Sequence, residues 1–137
     1  MSLVLGSSAT LAWIYEDEQG NVPDLIFDQV TALGAWVPTL WRLEVANGLR
    51  MGLRRGRIDV ADRDAALADL AILRITVDAE TERHAWTTIL QLADRFDLTM
   101  YDAAYLELAQ RRALPLGSLD AALCTAARRL GVPVIGD

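Results

Sequence analysis

The chain predicts an α/β fold: a three-layer α/β/α sandwich around a mostly parallel five-stranded sheet. Short apolar runs of four or five residues, rich in Val, Ile and Leu, recur along it, separated by stretches of helical period. Runs of that kind suit strands buried on both faces, as in a parallel sheet covered by helices on each side. The 137 residues, 53% hydrophobic, are enough for one compact domain with a real core, and no repeat, linker or low-complexity tract divides 1–137.

In chain order, the first strand is 2–6 (SLVLG), an apolar run that ends in glycine. Helical patterns follow near 8–18 and 23–33, then a strand at 35–38 (AWVP). A helix near 39–55 and another near 61–71 lead to the strand 73–77 (LRITV). Two more helices, near 80–95 and 100–112, precede the strand 113–117 (ALPLG). In the second of these, Thr99 and Asp102 are spaced as an N-cap and an acid at the third helical position. The last helix, near 119–130, can be capped by Ser118, with Asp120 in its first turn facing the positive end of the helix dipole. The strand 132–136 (VPVIG) closes the sheet.

Charge and cysteine content narrow the function classes. The net charge is −6, so the chain as a whole repels a phosphate backbone, and any nucleic acid must be handled locally. Every basic side chain is arginine, a residue suited to bidentate pairing with carboxylate or phosphate, although a G+C-rich coding bias gives the same composition. The single cysteine, Cys124, excludes an internal disulfide and a thiolate metal cluster, and reads as packing in the last helix. The apolar stretches are short and interrupted by charge, and the N-terminus lacks a secretory pattern, so a soluble cytoplasmic protein with no membrane segment is expected.

Three acids stand out. Glu44 lies mid-helix with Leu40, Trp41, Asn47 and Gly48 as its neighbours three and four residues away, so no local charge satisfies it. Such a carboxylate needs an arginine, backbone donors or a metal ion from elsewhere in the fold. Asp102 and Asp120 both fall at helix starts, where each alone reads as a cap. Taken together, one acid in mid-helix and two at helix starts, one of them just after a strand end, suggest a shared site. In parallel α/β sheets ligands collect beyond the carboxyl ends of the strands, the edge where position 6 and 117–120 fall.

Four segments carry a resemblance: LVLGSSATLAWIYEDE at the start, VPTLWRLEVANGL around Glu44, LTMYDAAYLELAQRRALPLGSLDAAL around Asp102 and Asp120, and AARRLGVPVIG at the end. In this order and spacing the chain resembles the PIN-domain ribonucleases, in particular the VapC-like toxins of type II toxin–antitoxin pairs. The resemblance implies a site where carboxylates gather around one or two Mg²⁺ or Mn²⁺ ions, hard cations that prefer oxygen ligands. It implies that Glu44, Asp102 and Asp120 hold the metal directly or through water, with Ser7 and Ser118 in the same hydrogen-bond network. It also implies partners: an RNA substrate, a cognate antitoxin seated through its C-terminal segment along an apolar groove, and a second copy in a homodimer.

One position departs from the pattern. The family's opening strand ends in an aspartate, whereas this chain keeps Ser8, Ala9, Leu11, Ala12 and Trp13 but has Gly6 at the aspartate position. Glycine adds no oxygen to a site that works by summing negative charge, so little or no ribonuclease activity is expected. The alternative is a non-catalytic PIN-like module that binds an antitoxin or RNA. A phosphoacceptor receiver domain would need a lysine near its acidic pocket, and a haloacid-dehalogenase-like phosphatase an aspartate after its first strand; the chain has neither.

Two further groups have two readings each, and His84 has one. Arg50, Arg54, Arg55 and Arg57 end the Glu44 helix, either as a solvated cationic terminus favoured by the dipole or as a patch that guides phosphate to the site. Of Trp13, Trp36, Trp41 and Trp86, most read as core and some as the lining of a groove. His84 reads as a solvated side chain on a surface helix.

Overall fold

Four short strands make one parallel sheet in a computed structural model that describes residues 1–137: β1 (Val4–Leu5), β2 (Ala35–Val37), β3 (Ile75–Val77) and β4 (Leu116–Gly117). Their order is β3-β2-β1-β4. The chain steps outward from β1 to β2 and β3, then returns to pair β4 on the other side of β1, with Val4 opposite both Trp36 and Leu116. Connections leave to opposite sides where the order reverses, and a crevice opens there at the carboxyl ends of β1 and β4.

Seven α-helices surround the sheet: α1 (Ser7–Ala12), α2 (Asn21–Leu33), α3 (Trp41–Arg54), α4 (Val60–Ile72), α5 (Leu90–Phe96), α6 (Met100–Arg112) and α7 (Ala121–Leu130). Leu3, Val4 and Leu5 are fully buried and belong to one core cluster with Ile26 of α2, Leu49 of α3 and Leu106 and Leu108 of α6. In α6 every residue from Ala103 to Ala109 is buried, so this helix is covered on all sides. The cover includes Glu107, whose charge is met by Arg111 one turn on at 2.7 Å.

The same Arg111 reaches Asp78, just after β3, at 2.6 Å, and Arg112 reaches it at 3.2 Å while lying 3.6 Å over the Trp36 ring. Burial alone raises the Asp78 carboxyl. Hydrogen bonds from Arg111, Arg112 and Thr81, with the Arg111 charge, outweigh it and hold the group at about 2. This cluster fastens the far end of α6 to the β3 edge.

The fifth strand expected at 132–136 is absent. That segment makes one parallel bridge, Leu116 to Val134, with Leu116 N donating to the Pro133 carbonyl and Ile135 N to the Leu116 carbonyl. Pro133 has no N–H to extend a ladder, and positive φ at Gly131 (80°) and Gly136 (102°) turns the chain at both ends. β4 is also shorter than 113–117, because Ala113 takes a left-handed φ of 53° and Leu114 N still donates to Ala109 in closing α6.

The helices expected at 8–18 and 80–95 are both interrupted. The first ends at Ala12, and Tyr15 is extended so that its hydroxyl can donate to the Gly48 carbonyl at 2.8 Å, before a short 3₁₀ turn at Glu16–Glu18. The second divides into a 3₁₀ turn (Thr81–His84), a π turn (Ala85–Ile89) and α5. His84 is half-buried in that turn instead of solvated on a surface helix. Trp41 is buried, Trp13 and Trp36 pack against the core, and Trp86 is 89% exposed.

Candidate active site

The crevice between β1 and β4 contains a cavity of about 220 Å³ whose wall includes Gly6, Ser7, Asp102, Ser118 and Asp120, five of the residues singled out in the sequence. They arrive from three places: the β1–α1 junction, the first turn of α6 and the β4–α7 link. Gly6 follows β1 and is tied to β4 by its N–H on the Gly117 carbonyl at 2.8 Å. Its φ of −75° and ψ of 150° are ordinary for any residue, so the backbone does not demand glycine here. A Cβ added at position 6 would lie 3.2 Å from the Gly117 carbonyl oxygen and 3.3 Å from Ser118 Cβ, close enough that the β4–α7 link must give by a few tenths of an ångström.

Thr10, fully buried, holds this corner: its hydroxyl donates to the Gly6 carbonyl at 3.0 Å and accepts from the Trp41 indole at 3.2 Å. The start of α3 is thereby tied to the end of β1. The close contact of α3 with the α1 segment depends on Gly48 and Gly52, where a Cβ would overlap Leu11 and the Tyr15 hydroxyl respectively.

Glu44 stands beside the cavity wall. Its Oε1 accepts from the Tyr105 hydroxyl at 2.6 Å and from Ser7 Oγ at 3.3 Å, and both donors line the cavity. The partner that the sequence required is therefore neither an arginine nor the backbone. Burial, and then the Glu44 carboxylate itself, push the Tyr105 phenol far above its ordinary value, so it stays protonated and donates. Tyr105 was not evident as a site residue, although it lies three positions after Asp102 and so on the same helical face.

Asp102 sits in the first turn of α6, with Thr99 as the cap, as its spacing predicts; its N–H donates to Thr99 Oγ1 at 3.1 Å. Its carboxyl is pushed up by burial, then by the charges of Asp120 and Glu44. Asp102 thus lies within reach of the charge of both other acids. For α7 the expected cap is corrected. Asp120 is itself the N-cap, its Oδ1 accepting from Leu123 N at 2.8 Å, while Ser118 Oγ accepts from Asp120 N at 3.1 Å. One oxygen of Asp120 is thus committed to the helix, leaving Oδ2 for the cavity. Ser8, a second residue not singled out as part of the site, meets Ser118 Oγ at 3.2 Å and accepts from Leu119 N at 3.0 Å. Cys124 is buried as expected, and its thiol donates to the Ser118 carbonyl at 3.3 Å.

The donor set is oxygen only and negatively charged, which fits a hard divalent cation in kind. It falls short in number, since no group of three or more His, Cys, Asp or Glu side chains is arranged to hold a metal ion. Gly6 contributes backbone to the cavity wall and no carboxylate.

Among the arginines, Arg57 does not belong to an open patch. It binds Asp17 at 2.6 Å and Glu18 at 3.0 Å and lies 3.9 Å over the Tyr15 ring. No helix is long and apolar enough to cross a membrane.

No protein-family model matches the chain. Curated relatives do. Ribonuclease VapC9 of Mycobacterium tuberculosis is 34% identical over 131 residues, covering 93% of this chain and 87% of the relative. VapC ribonuclease Mb0985 of Mycobacterium bovis matches to the same extent. Among solved structures, PAE2754 from Pyrobaculum aerophilum superposes with a TM-score of 0.67 over 92% of this chain and 84% of its own, at 21% identity, a likeness of fold alone. With a parallel α/β sheet, acids converging at its switch point and relatives of this identity over nearly its whole length, the chain belongs to the VapC-like PIN-domain ribonuclease toxins.

Proposed function

We propose that this chain is the toxin of a toxin–antitoxin pair, built as a Mg²⁺- or Mn²⁺-dependent endoribonuclease and strongly impaired or inactive because Gly6 supplies no ligand. One observation supports this above the others: Asp102 and Asp120 face a common cavity, with Glu44 coupled to it through Ser7 and Tyr105, and the cavity begins at Gly6. In this reading Glu44, Asp102 and Asp120 hold the cation directly or through water. When bound there, such a cation would supply an activated water for attack on an RNA phosphodiester and would offset charge developing on the phosphate.

The chain's own groups hold the acids in place. Tyr105 and Ser7 fix one Glu44 oxygen, α7 fixes one Asp120 oxygen, and Ser8 with Ser118 ties the α1 start to the β4–α7 link. Without an acid at position 6 the attacking water and phosphate are less tightly placed, and a misplacement of about 1 Å costs on the order of 10²-fold in rate.

The antitoxin's C-terminal segment seats, in this reading, in the cavity of about 980 Å³ beside α4, lined by apolar residues such as Trp13, Phe27, Leu70 and Ile72 and edged by Asp17, Asp62 and Asp69. That acidic edge suits a basic peptide. Trp86, with Leu90 one turn on and 43% exposed, is apolar surface available to a second copy in a homodimer. The cytoplasm, where RNA and antitoxin are made, is the compartment this function requires.

The alternative, a binding module without catalysis, draws on the lack of a three-acid metal cage. Titration of Mn²⁺ into the protein by calorimetry separates the two. Millimolar or tighter binding that Asp102→Asn abolishes supports the residual metal site. Absence of any binding, or binding that Asp102→Asn leaves unchanged, leaves the pure binder.

A further inference from the structure

The thirteen arginines are not equally engaged. Arg57, Arg63, Arg83, Arg111, Arg112 and Arg128 are paired with carboxylates. Arg74 donates to the Ala32 carbonyl, and Arg95 and Arg129 lie over the Phe96 ring. The four that remain, Arg42, Arg50, Arg54 and Arg55, are all exposed and have no carboxylate, carbonyl or ring partner. All four lie on α3 or at its end, the helix that carries Glu44. In a chain of net charge −6, the four arginines with no partner of any kind are thus gathered on one helix.

Their placement has a direction. The buried residues Trp41, Val45, Leu49 and Gly52 fix the inner face of α3. At ~100° per residue, Arg50 and Arg54 then project from the opposite, solvent face, while Arg55 falls within ~20° of Glu44 on the shoulder nearer the site. From Glu44 to Arg55 the helix rises roughly 16 Å. Guanidinium groups bind phosphate oxygens in a bidentate fork, and no acid on α3 beyond Glu44 competes for them.

We infer that Arg50, Arg54 and Arg55 form a phosphate track that leads a single-stranded RNA backbone along α3 towards the carboxylate cavity. This deepens the ribonuclease reading by naming where substrate is held, and it is separable from it because the track needs neither metal nor cleavage. An acidic protein partner is the competing occupant. Membership of a ribonuclease family favours RNA.

The test is fluorescence anisotropy of a labelled mixed-sequence single-stranded RNA, about 12 nucleotides long, with the full chain in EDTA. The Arg50→Ala/Arg54→Ala/Arg55→Ala variant is expected to bind at least about tenfold more weakly, and its slope of log affinity against log salt, between about 50 and 200 mM, to fall by about 2. Arg83→Ala, which removes an exposed arginine already paired with Glu80, is expected to keep both affinity and slope. Matched thermal melts show that the variants are folded. Four results overturn the assignment: no RNA binding by the parent, unchanged binding by the triple variant, an equal loss in Arg83→Ala, or displacement of RNA by a polyglutamate peptide at equal charge. Failure of Gly6→Asp to cleave RNA, with the track intact, would instead count against the catalytic reading alone.

Discussion

Asp78→Asn is the substitution whose cost the structure specifies most fully. The side chain is wholly buried, with Arg111 at 2.6 Å, Arg112 at 3.2 Å and the Thr81 hydroxyl at 3.0 Å. The neutral amide leaves two arginines facing a group that cannot balance them. Breaking a buried pair on one side costs about 3–5 kcal/mol, against a total stability of roughly 7–20 kcal/mol for a chain of this length. At about 3 °C per kcal/mol, Tm falls by roughly 10 °C near neutral pH. A pH signature accompanies the loss. The folded carboxyl titrates at about 2, below its ordinary 3.8, so its contribution is complete above that ordinary value and disappears as pH falls towards 2. It amounts to about 2 kcal/mol by linkage. Urea melts of parent and variant at steps from about pH 6 to pH 2 should therefore show a gap that narrows by that amount across this window. Equal stability at neutral pH, or a gap that does not change with pH, would refute the ion-pair account of how α6 is fastened.

Tyr105→Phe removes the hydroxyl that donates to Glu44 at 2.6 Å and keeps the ring in the core. A hydrogen bond to a charged group contributes about 1.5–3 kcal/mol, so a drop in Tm of several degrees and weaker Mn²⁺ binding in calorimetry are expected; unchanged values for both would show that the phenol does not hold Glu44. Gly52→Ala places a methyl on the Tyr15 hydroxyl, which is already fixed on the Gly48 carbonyl and covered by Arg57. Overpacking of this kind costs about 1–3 kcal/mol, and a thermal melt that matches the parent would contradict the close approach of Tyr15 to α3.

Much of the fold was legible because period and composition act locally. The strand at 35–38 and the helix at 100–112 fall within a residue of β2 and α6, since an apolar AWV run and a capped Thr99 start need no distant partner to be recognised. The meeting of Gly6, Asp102, Ser118 and Asp120 was legible through resemblance and strand-end placement. What was not legible depends on tertiary contact. Tyr105 acquires its role from Glu44, 61 residues away, and Arg57 is removed from the arginine run by Asp17 and Glu18, about 40 residues earlier. The segment 132–136 has the composition of a strand, but Pro133 and the flanking glycines limit it to one bridge. The helix expected at 80–95 has continuous helical period, and nothing local in the sequence announces its change from 3₁₀ to π to α.

The central proposal is that Gly6 is what impairs a nuclease site built on Glu44, Asp102 and Asp120. Gly6→Asp tests it most directly, because φ and ψ there already suit an aspartate and the Gly117 carbonyl and Ser118 need give by only a few tenths of an ångström to admit its Cβ. The measurement is cleavage of a labelled RNA pool by Gly6→Asp and by the parent, with Mg²⁺ or Mn²⁺ and with EDTA. The account predicts metal-dependent cleavage by Gly6→Asp at least about 10²-fold faster than by the parent, lost again in EDTA. A folded Gly6→Asp protein that binds the cation yet leaves RNA as intact as the parent does would contradict it.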